Sequence, residues 1–266
     1  EGISEEQLTN SFGLKLKSKT ASYVISAEIT AKQGEEIRTG FKVFASIKSG
    51  EFNIDSFVKD VAMDALKKLG SSQCRSKKYP VILNSYSASQ LLNAYLSNID
   101  AEEVQKKSSL FIDKLNKQVA SKKLTVMENP LLPNIYFRYF DDEGVATNKK
   151  YLINKGIIST YLYTLQTAIK DKVEPTGNGY GKGKASADVG YVIVKPGRKS
   201  EDEMLSEIKE GVYLTELSGL HSGMNASSGN FSLQCSGFMI RNGKKAEPLS
   251  LITVADNLIN VFNNIK

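Results

Sequence analysis

Histidine is the residue that this chain of 266 residues most lacks, since His221 is the only one. A catalytic zinc site in a peptidase keeps one coordination position open for water and is usually held by histidine and carboxylate ligands. The common arrangement needs two histidines. The chain therefore cannot build that site alone, and we predict that it has no catalytic zinc and no cofactor.

Cysteine is nearly as rare. Cys74 and Cys235 lie far apart and no Cys-x-x-Cys spacing occurs, which argues against a structural zinc site and a dithiol redox motif. Free thiols are typical of a reducing cytosol, so we predict a cytoplasmic protein. Apolar runs of about 18 residues are also missing, and no membrane-spanning segment is expected. The chain opens at Glu1 without methionine or a leader, which suggests that an N-terminal part is missing.

Charge gives little support for nucleic-acid binding. The net charge is +6, but 35 basic residues are scattered among 29 acidic ones. The densest basic stretch, Arg75–Lys78, is short, and the sequence shows no recognition helix, basic stripe or aromatic stacking surface. A solvated surface is the better interpretation, and we predict no nucleic-acid partner.

Alternating apolar residues predict strands between Ser11 and Lys48. One apolar row runs from Tyr23 to Ala31 and another from Phe41 to Ile47, which favours an antiparallel hairpin turning at residues 34–36. Helical spacing then begins at Asn53, a good N-cap, and ends before Gly70.

A second helix is predicted after a short strand at residues 79–83. Ser85 or Ser87 would cap it, and it would end near Ser97. From residue types alone, Asn93 and Asn98 are interpreted as polar residues on the solvent side of this helix. The remaining pattern predicts a helix from Ser200 through Val212, a final helix and several strands: 125–127, 136–140, 151–153, 157–161, 189–194 and 231–240. Together these elements predict an α+β fold with antiparallel sheets.

Glycine is concentrated in one segment, residues 176–186, where it alternates with other residues and is joined by Lys182 and Lys184. The composition is like that of a phosphate cradle, but the Walker spacing is absent. A flexible loop is the main interpretation, and a mobile loop over a substrate groove fits equally well.

Nucleophilic catalysis has weak support. Serines are numerous, yet no Gly-x-Ser-x-Gly elbow occurs. His221 could pair with Cys235 or a serine, but Cys235 would share a strand face with Phe231 and Leu233 and so belong to the core. The carboxylates at residues 141–143 do not have the spacing of a calcium loop, and a turn is predicted there. No catalytic residue is assigned.

Several segments together resemble one protein family. They are residues 129–133 (NPLLP), residues 140–147 (FDDEGVAT), the glycine-rich segment and, most specifically, the C-terminal blocks 219–225 (GLHSGMN), 228–232 (SGNFS) and 235–238 (CSGF). In order and spacing they are similar to the PmbA/TldE branch of the TldD/PmbA family. The resemblance covers nearly all of residues 1–266 and implies the central and C-terminal regions, which could divide into 1–120 and 121–266, without the family's N-terminal domain.

The resemblance implies a function. TldD-like subunits carry a His-Glu-x-x-x-His zinc helix, PmbA-like subunits lack it, and the two associate as a peptidase acting on peptides or unfolded proteins. In this chain Asn93, Ala94 and Asn98 stand at the positions of that helix. The expected partner is a TldD-like metallopeptidase subunit, and a homodimer in isolation is also expected. Loops expected to face the substrate chamber contain Gly177, Asn178, Gly179, Gly181, His221, Ser222, Gly223 and Asn225.

Two other functions stay open at this point. One is an autonomous hydrolase that uses His221 with Cys235 or a serine. The other is a regulatory or binding protein, which the older family name "modulator of DNA gyrase" suggests. A further hypothesis concerns the hairpins at residues 22–48 and 231–252, whose exposed edges could take a peptide as an added strand.

Overall fold

A long antiparallel sheet forms the N-terminal part of the protein. The structure, a computed structural model, describes residues 2–181 and 183–266, so Glu1 and Lys182 lie outside it. Strands β1 (Gly2–Thr9), β2 (Lys15–Gln33) and β3 (Glu36–Ser46) pair in the order β1-β2-β3. The predicted hairpin is confirmed, and its turn is at residues 34–35. At about 3.3 Å per residue, β2 is about 60 Å long.

Helix α1 (Ile54–Leu66) packs on strands β2 and β3. Its predicted N-cap is confirmed, because the Asn53 side chain accepts a hydrogen bond from the Ser56 amide at 2.9 Å. Gly40 on β3 permits the close approach of the helix. A β-carbon there would lie 2.7 Å from the Ala65 amide nitrogen. The absence of a side chain at Gly40 therefore lets the backbone of α1 pack directly on β3.

A second sheet combines distant parts of the chain. Its strands are β4 (Val81–Leu83), β11 (Glu210–Ser218), β12 (Asn230–Arg241) and β13 (Lys244–Asn257), in the order β13-β12-β11-β4. Strand β4 is parallel to β11 and the other pairs are antiparallel. The hairpin turn between β12 and β13 lies at Asn242-Gly243.

Two smaller sheets lie in the middle of the chain. One has the order β10-β5-β6-β7, formed by β5 (Val126–Glu128), β6 (Lys150–Asn154), β7 (Ile157–Ile158) and β10 (Val192–Val194). The other is a hairpin of β8 (Gly179–Tyr180) and β9 (Ser186–Ala187). The remaining helices are α2 (Ser85–Leu96), α3 (Ala101–Gln105), α4 (Leu165–Asp171), α5 (Glu201–Ser206), α6 (Leu220–Gly223) and α7 (Leu258–Asn263).

The main core joins these elements into an α+β fold. Tyr95 of α2 is fully buried, stacks on Phe262 of α7 with ring centroids 4.0 Å apart, and meets the edge of Phe111. The cluster to which they belong contains buried residues from Leu91 to Phe262, and Leu205, Tyr213 and Ile240 form a smaller second cluster. The division at residue 120 stays a prediction. None of the helices in the described parts of the chain is long and apolar enough to cross a membrane.

Several boundaries differ from the sequence predictions. Helix α2 is capped by Asn84, which accepts the Ser87 amide, and not by Ser85 or Ser87. Helix α5 keeps its predicted Ser200 capping box but ends at Ser206. Val212, predicted to continue that helix, lies in β11, because hydrogen-bonding partners on both sides outweigh its helical spacing.

The segment at residues 136–140 was also predicted incorrectly as a strand. The side chain of Asn134 accepts the Tyr136 amide at 2.7 Å, and the Arg138 amide donates to the Pro130 carbonyl at 3.0 Å. These local hydrogen bonds form a compact loop in place of a ladder. Tyr136 and Tyr139 of this loop are exposed, whereas Phe140 is buried.

Candidate functional site

The helix that resembles the family's zinc helix is α2, and its three key positions have different environments. Asn93 is exposed, Ala94 is half-buried, and Asn98 lies in a 3-10 turn just after the helix. Asn98 is only 3% exposed, so its predicted place on the solvent side is wrong. Its Oδ1 accepts the Leu110 amide at 2.9 Å, and its Nδ2 donates to the carbonyls of Ala94 and Tyr95.

These residues do not fit a zinc ion. The Asn98 amide is already used on both of its ends, Asn93 is an amide facing solvent, and Ala94 has no group that could act as a base. Within residues 2–181 and 183–266, no three side chains among His, Cys, Asp and Glu converge as metal ligands. No catalytic step through a metal on this helix can be derived.

The possible pair of His221 and Cys235 is separated by its surroundings. His221 is exposed on the single turn α6, whereas Cys235 is 2% exposed in the middle of β12. Burial raises the pKa of the Cys235 thiol to about 11, and the neighbouring Cys74 adds to the shift. The thiol is therefore protonated near neutral pH, which is the opposite of what a nucleophile needs.

The loop that contains His221 is held by its own turns. The Asn225 side chain accepts the Ser228 amide at 2.9 Å, and the Ser222 hydroxyl donates to the Gly219 carbonyl at 3.4 Å. At Gly223 a β-carbon would overlap the Ser232 carbonyl of β12. These contacts give Ser222, Gly223 and Asn225 structural roles in the loop. That the loop faces a substrate chamber stays a prediction.

The base of the glycine-rich segment makes buried hydrogen bonds, while the flexibility of the loop stays a prediction. Asn178 is fully buried, and its Nδ2 donates to both oxygens of Glu128, at 2.8 and 3.0 Å. Lys150 completes the cluster, with its ammonium 2.7 Å from Glu128 and 2.9 Å from the Asn178 Oδ1. A buried carboxylate is costly unless it is paired and hydrogen-bonded, and here both conditions are met.

Glycine is required by the backbone at one position of this segment and allows close packing of a side chain at another. Gly177 has a φ of +71°, and a β-carbon there would overlap the Ala146 carbonyl. At Gly179 a β-carbon would overlap the Glu143 carboxylate. Gly181 is exposed and has a φ of +128°. Gly177 and Gly179 thus allow the hairpin β8–β9 to pack closely against the turn at residues 141–147. The phosphate-cradle interpretation involves Lys182, which lies outside the described residues.

A groove of about 530 Å³ opens above this hairpin. We call it the Tyr180 groove. One wall is a face of strands β1 and β2, and the other combines the aromatic loop at residues 135–138 with Tyr180 and the segment after β9. Its lining residues are Ser4, Glu6, Ser18, Thr20, Ile135, Tyr136, Phe137, Arg138, Tyr180, Asp188, Val189 and Gly190.

Two sets of contacts hold the long sheet over the groove. The Arg138 guanidinium lies 3.0 Å from Glu6 on β1 and 2.5 Å from Asp142. Nearer the turn between β1 and β2, the side chains of Leu8 and Leu14 lie so close to Gly144 that a β-carbon there would collide with them. One wall of the groove therefore depends on both an ion pair and apolar packing.

The floor of the groove has an unusual polar atom. The Tyr180 hydroxyl is buried and has no hydrogen-bond partner among the described residues. Burial, followed by the nearby Glu128 carboxylate, holds the pKa of this phenol above its ordinary value, so the hydroxyl is neutral. Arg138 lies over one face of the same ring, 5.1 Å from its centroid. Tyr180 thus connects the buried Glu128 cluster to the groove.

A second cavity, of about 420 Å³, lies on the other side of that cluster. Lys150, Asn154 and Glu174 are among its lining residues. Lys150 therefore contacts this cavity and the buried Glu128. The sequence analysis named the glycine-rich segment as a chamber wall but missed the loop at residues 135–138, because its aromatic residues resembled a strand.

Comparisons with known proteins agree across most of the chain. A family model described as the PmbA/TldA metallopeptidase C-terminal domain matches residues 76–266. The Metalloprotease PmbA homolog of Buchnera aphidicola (subspecies Acyrthosiphon pisum, strain APS) is 30% identical over 263 residues, which cover 96% of this chain and 56% of that protein. The chain thus spans a little over half the length of this relative.

Solved structures share the fold. A Thermotoga maritima protein named for a proposed role as a modulator of DNA gyrase superposes with a TM-score of 0.91 at 32% identity, covering 99% of this chain and 61% of that one. TldE from Thermococcus kodakarensis gives a TM-score of 0.88 at 21% identity over 98% of this chain and 60% of that one, a likeness of fold alone.

Proposed function

Because the chain belongs to the PmbA/TldD metallopeptidase family, we propose that it is a zinc-less, PmbA/TldE-like subunit of a TldD/TldE-type peptidase. The observation that carries the proposal is the environment of Asn98. Its amide is buried and hydrogen-bonded where the zinc branch has a ligand. The catalytic ion then belongs to a TldD-like partner, and this subunit acts in the cytoplasm on peptides or unfolded proteins.

A subunit without the metal contributes surface to the substrate chamber. The Tyr180 groove and the ordered glycine-rich hairpin supply a wall with polar and aromatic groups. Sheet edges supply a second device: within the described parts of the chain, the outer edges of β1 and β3 pair with no strand. An extended peptide added to such an edge is held by backbone hydrogen bonds that do not depend on its sequence.

Co-purification tests the subunit role directly. The tagged chain is expressed in the organism that encodes it, and captured proteins are searched for a chain with a His-Glu-x-x-x-His helix. We expect that chain in a fixed ratio, zinc in the complex and chelator-sensitive peptide cleavage by the complex. Stoichiometric zinc in the isolated chain, or cleavage by it that a chelator stops, would contradict the proposal.

An autonomous hydrolase is the alternative, and the same purified chain tests it. We expect that neither the isolated wild-type chain nor His221→Ala cleaves peptides, because His221 is exposed while the Cys235 thiol is buried and protonated. Cleavage by the isolated wild-type chain that disappears in His221→Ala and persists with a chelator would favour the alternative.

A further inference from the structure

The Tyr180 groove has more negative than positive charge. Among the described residues of its lining, Arg138 is the only cationic one, and its guanidinium is already bonded to Glu6 and Asp142. Asp188, in the segment after β9, is exposed and forms no ion pair with any described residue. From the described part of the chain, its carboxylate accepts one hydrogen bond, from the Val189 amide at 2.7 Å. A free carboxylate in a cleft attracts cations and repels anions.

Aromatic rings line the same groove. Tyr136 is exposed and stacks on Tyr191 with centroids 6.1 Å apart, while Phe137 meets Tyr139 edge to face at 4.6 Å. Ring faces attract ammonium and guanidinium groups, more so when water is partly excluded.

Size and polarity also suit a side chain. A volume of about 530 Å³ lies in the range of pockets that hold small molecules, about 300–1,000 Å³. The methylene stem of a lysine or arginine can lie on aromatic surface while its charged end stays near a carboxylate. An acidic side chain in the same place would meet the carboxylates of Glu6 and Asp188.

We propose that the Tyr180 groove binds a lysine or arginine side chain of a peptide, with Asp188 as its charge partner and the ring of Tyr136 as its apolar support. This rests on the proposed role in peptide handling and adds a preference for basic residues to it. The preference is independent of the metal, because the groove belongs entirely to this chain.

Binding of capped pentapeptides to the purified chain tests the proposal. The peptides share the frame acetyl-Gly-Ser-X-Ser-Gly-amide, with X as lysine, arginine, norleucine or glutamate, and titration calorimetry gives the affinities. We expect the lysine and arginine peptides to bind about fivefold more tightly than the norleucine peptide, and the glutamate peptide to bind most weakly. Added salt should reduce the difference.

Two variants locate the effect. Asp188→Asn keeps an acceptor for the Val189 amide and should remove the preference for lysine without changing norleucine binding. Tyr136→Leu should weaken lysine binding more than norleucine binding. Glu174→Gln is the matched control, because it removes an exposed carboxylate from the second cavity and should change nothing.

Equal affinity for the lysine and norleucine peptides would overturn the inference. So would the absence of lysine-peptide binding at millimolar concentration, or an unchanged preference in Asp188→Asn. The subunit role has a separate readout: capture of a TldD-like chain without lysine preference refutes only the groove specificity. Lysine preference without such a chain refutes only the subunit role.

Discussion

At the scale of a single residue, Asn98 has a structural role at a position where the family resemblance implies a zinc ligand in the TldD branch. Its side-chain oxygen accepts the Leu110 amide at 2.9 Å, and its backbone carbonyl accepts the Ser109 hydroxyl at 2.6 Å, so the residue connects the end of α2 to residues 109 and 110. The same type of residue at position 93, one turn earlier, faces solvent. Two asparagines that look alike in the sequence therefore have different roles.

Replacing each asparagine separates these roles. Asn98→Ala leaves the Leu110 amide without its partner in a buried place and should lower the free energy of unfolding by about 2 kcal/mol. Asn93→Ala, the matched control, should change it by less than about 0.5 kcal/mol. Urea denaturation followed by circular dichroism measures both. Equal effects of the two substitutions would contradict this account of Asn98.

Asp100 gives a pH dependence at the same scale. Burial raises the pKa of its carboxyl from 3.8 to about 6, and Glu102 and Glu103 add to the rise, although the Glu102 amide donates to it at 2.9 Å. A pKa raised on folding means that stability is complete below about pH 4 and decreases as the pH rises through about 6. The ionised form is the costly one.

Asp100→Asn should therefore stabilise the protein at neutral pH. Asparagine can still cap α3, but it has no charge to bury. Between about pH 4 and pH 7 the variant should gain about 1 kcal/mol relative to the wild type, a figure reduced for partial solvent screening. Thermal unfolding at both pH values measures the difference. A gain that is the same at both would show that ionisation is not its cause.

At the scale of elements, the contact between β3 and α1 depends on one glycine. Gly40 lies where any side chain would press into the backbone of residues 61 and 65. Gly50, in the following 3-10 turn (Ser49–Glu51), has open space around the place of a β-carbon. The two positions give a direct comparison of packing against backbone freedom.

Gly40→Ala should lower the free energy of unfolding by about 2 kcal/mol, because the helix must move away from the sheet. Gly50→Ala should have an effect below about 0.5 kcal/mol. Chemical denaturation measures both, and hydrogen exchange should show faster opening of α1 in the first variant only. A neutral Gly40→Ala would show that the helix tolerates the displacement.

An element could be predicted from the sequence where local interactions determine its structure, and not where long-range contacts do. The hairpin β2–β3 and helix α1 could be predicted because local alternation and capping agree with the final packing. Strand β1 was missed because Ser4-Glu5-Glu6-Gln7 has no apolar alternation, and its pairing with β2 supplies the ladder. The groove could not be predicted, since it forms between segments that are more than a hundred residues apart.

At the scale of the whole molecule, the groove is a junction between the N-terminal sheet and the rest of the chain. Arg138 is the ion-pairing residue at that junction, with its side chain 27% exposed and bonded to Glu6 and Asp142. Apolar packing of Leu8 and Leu14 at Gly144 adds to it. The attachment therefore combines a salt-sensitive part and a salt-insensitive part.

Arg138→Ala should loosen this attachment without unfolding the second sheet. Amide hydrogen exchange in residues 2–9 and 15–22 should become several-fold faster, while strands β11 and β12 stay protected. Mass spectrometry of peptic fragments measures this. The carboxylates at positions 6 and 142 lose their common partner in the variant, so the effect should grow at low ionic strength. Uniform acceleration in both sheets would contradict a local role.

Strand β2 has a consequence that joins these scales. Its first half supplies Ser18 and Thr20 to the groove, and its second half supports α1. No break separates the halves, because all nineteen residues are in one strand. A shift of α1 that displaces the second half of β2 should therefore also move the first half of the strand and change the width of the groove. Loss of the packing between α1 and the sheet should thus alter the Tyr180 groove, although no residue of α1 is among its lining residues.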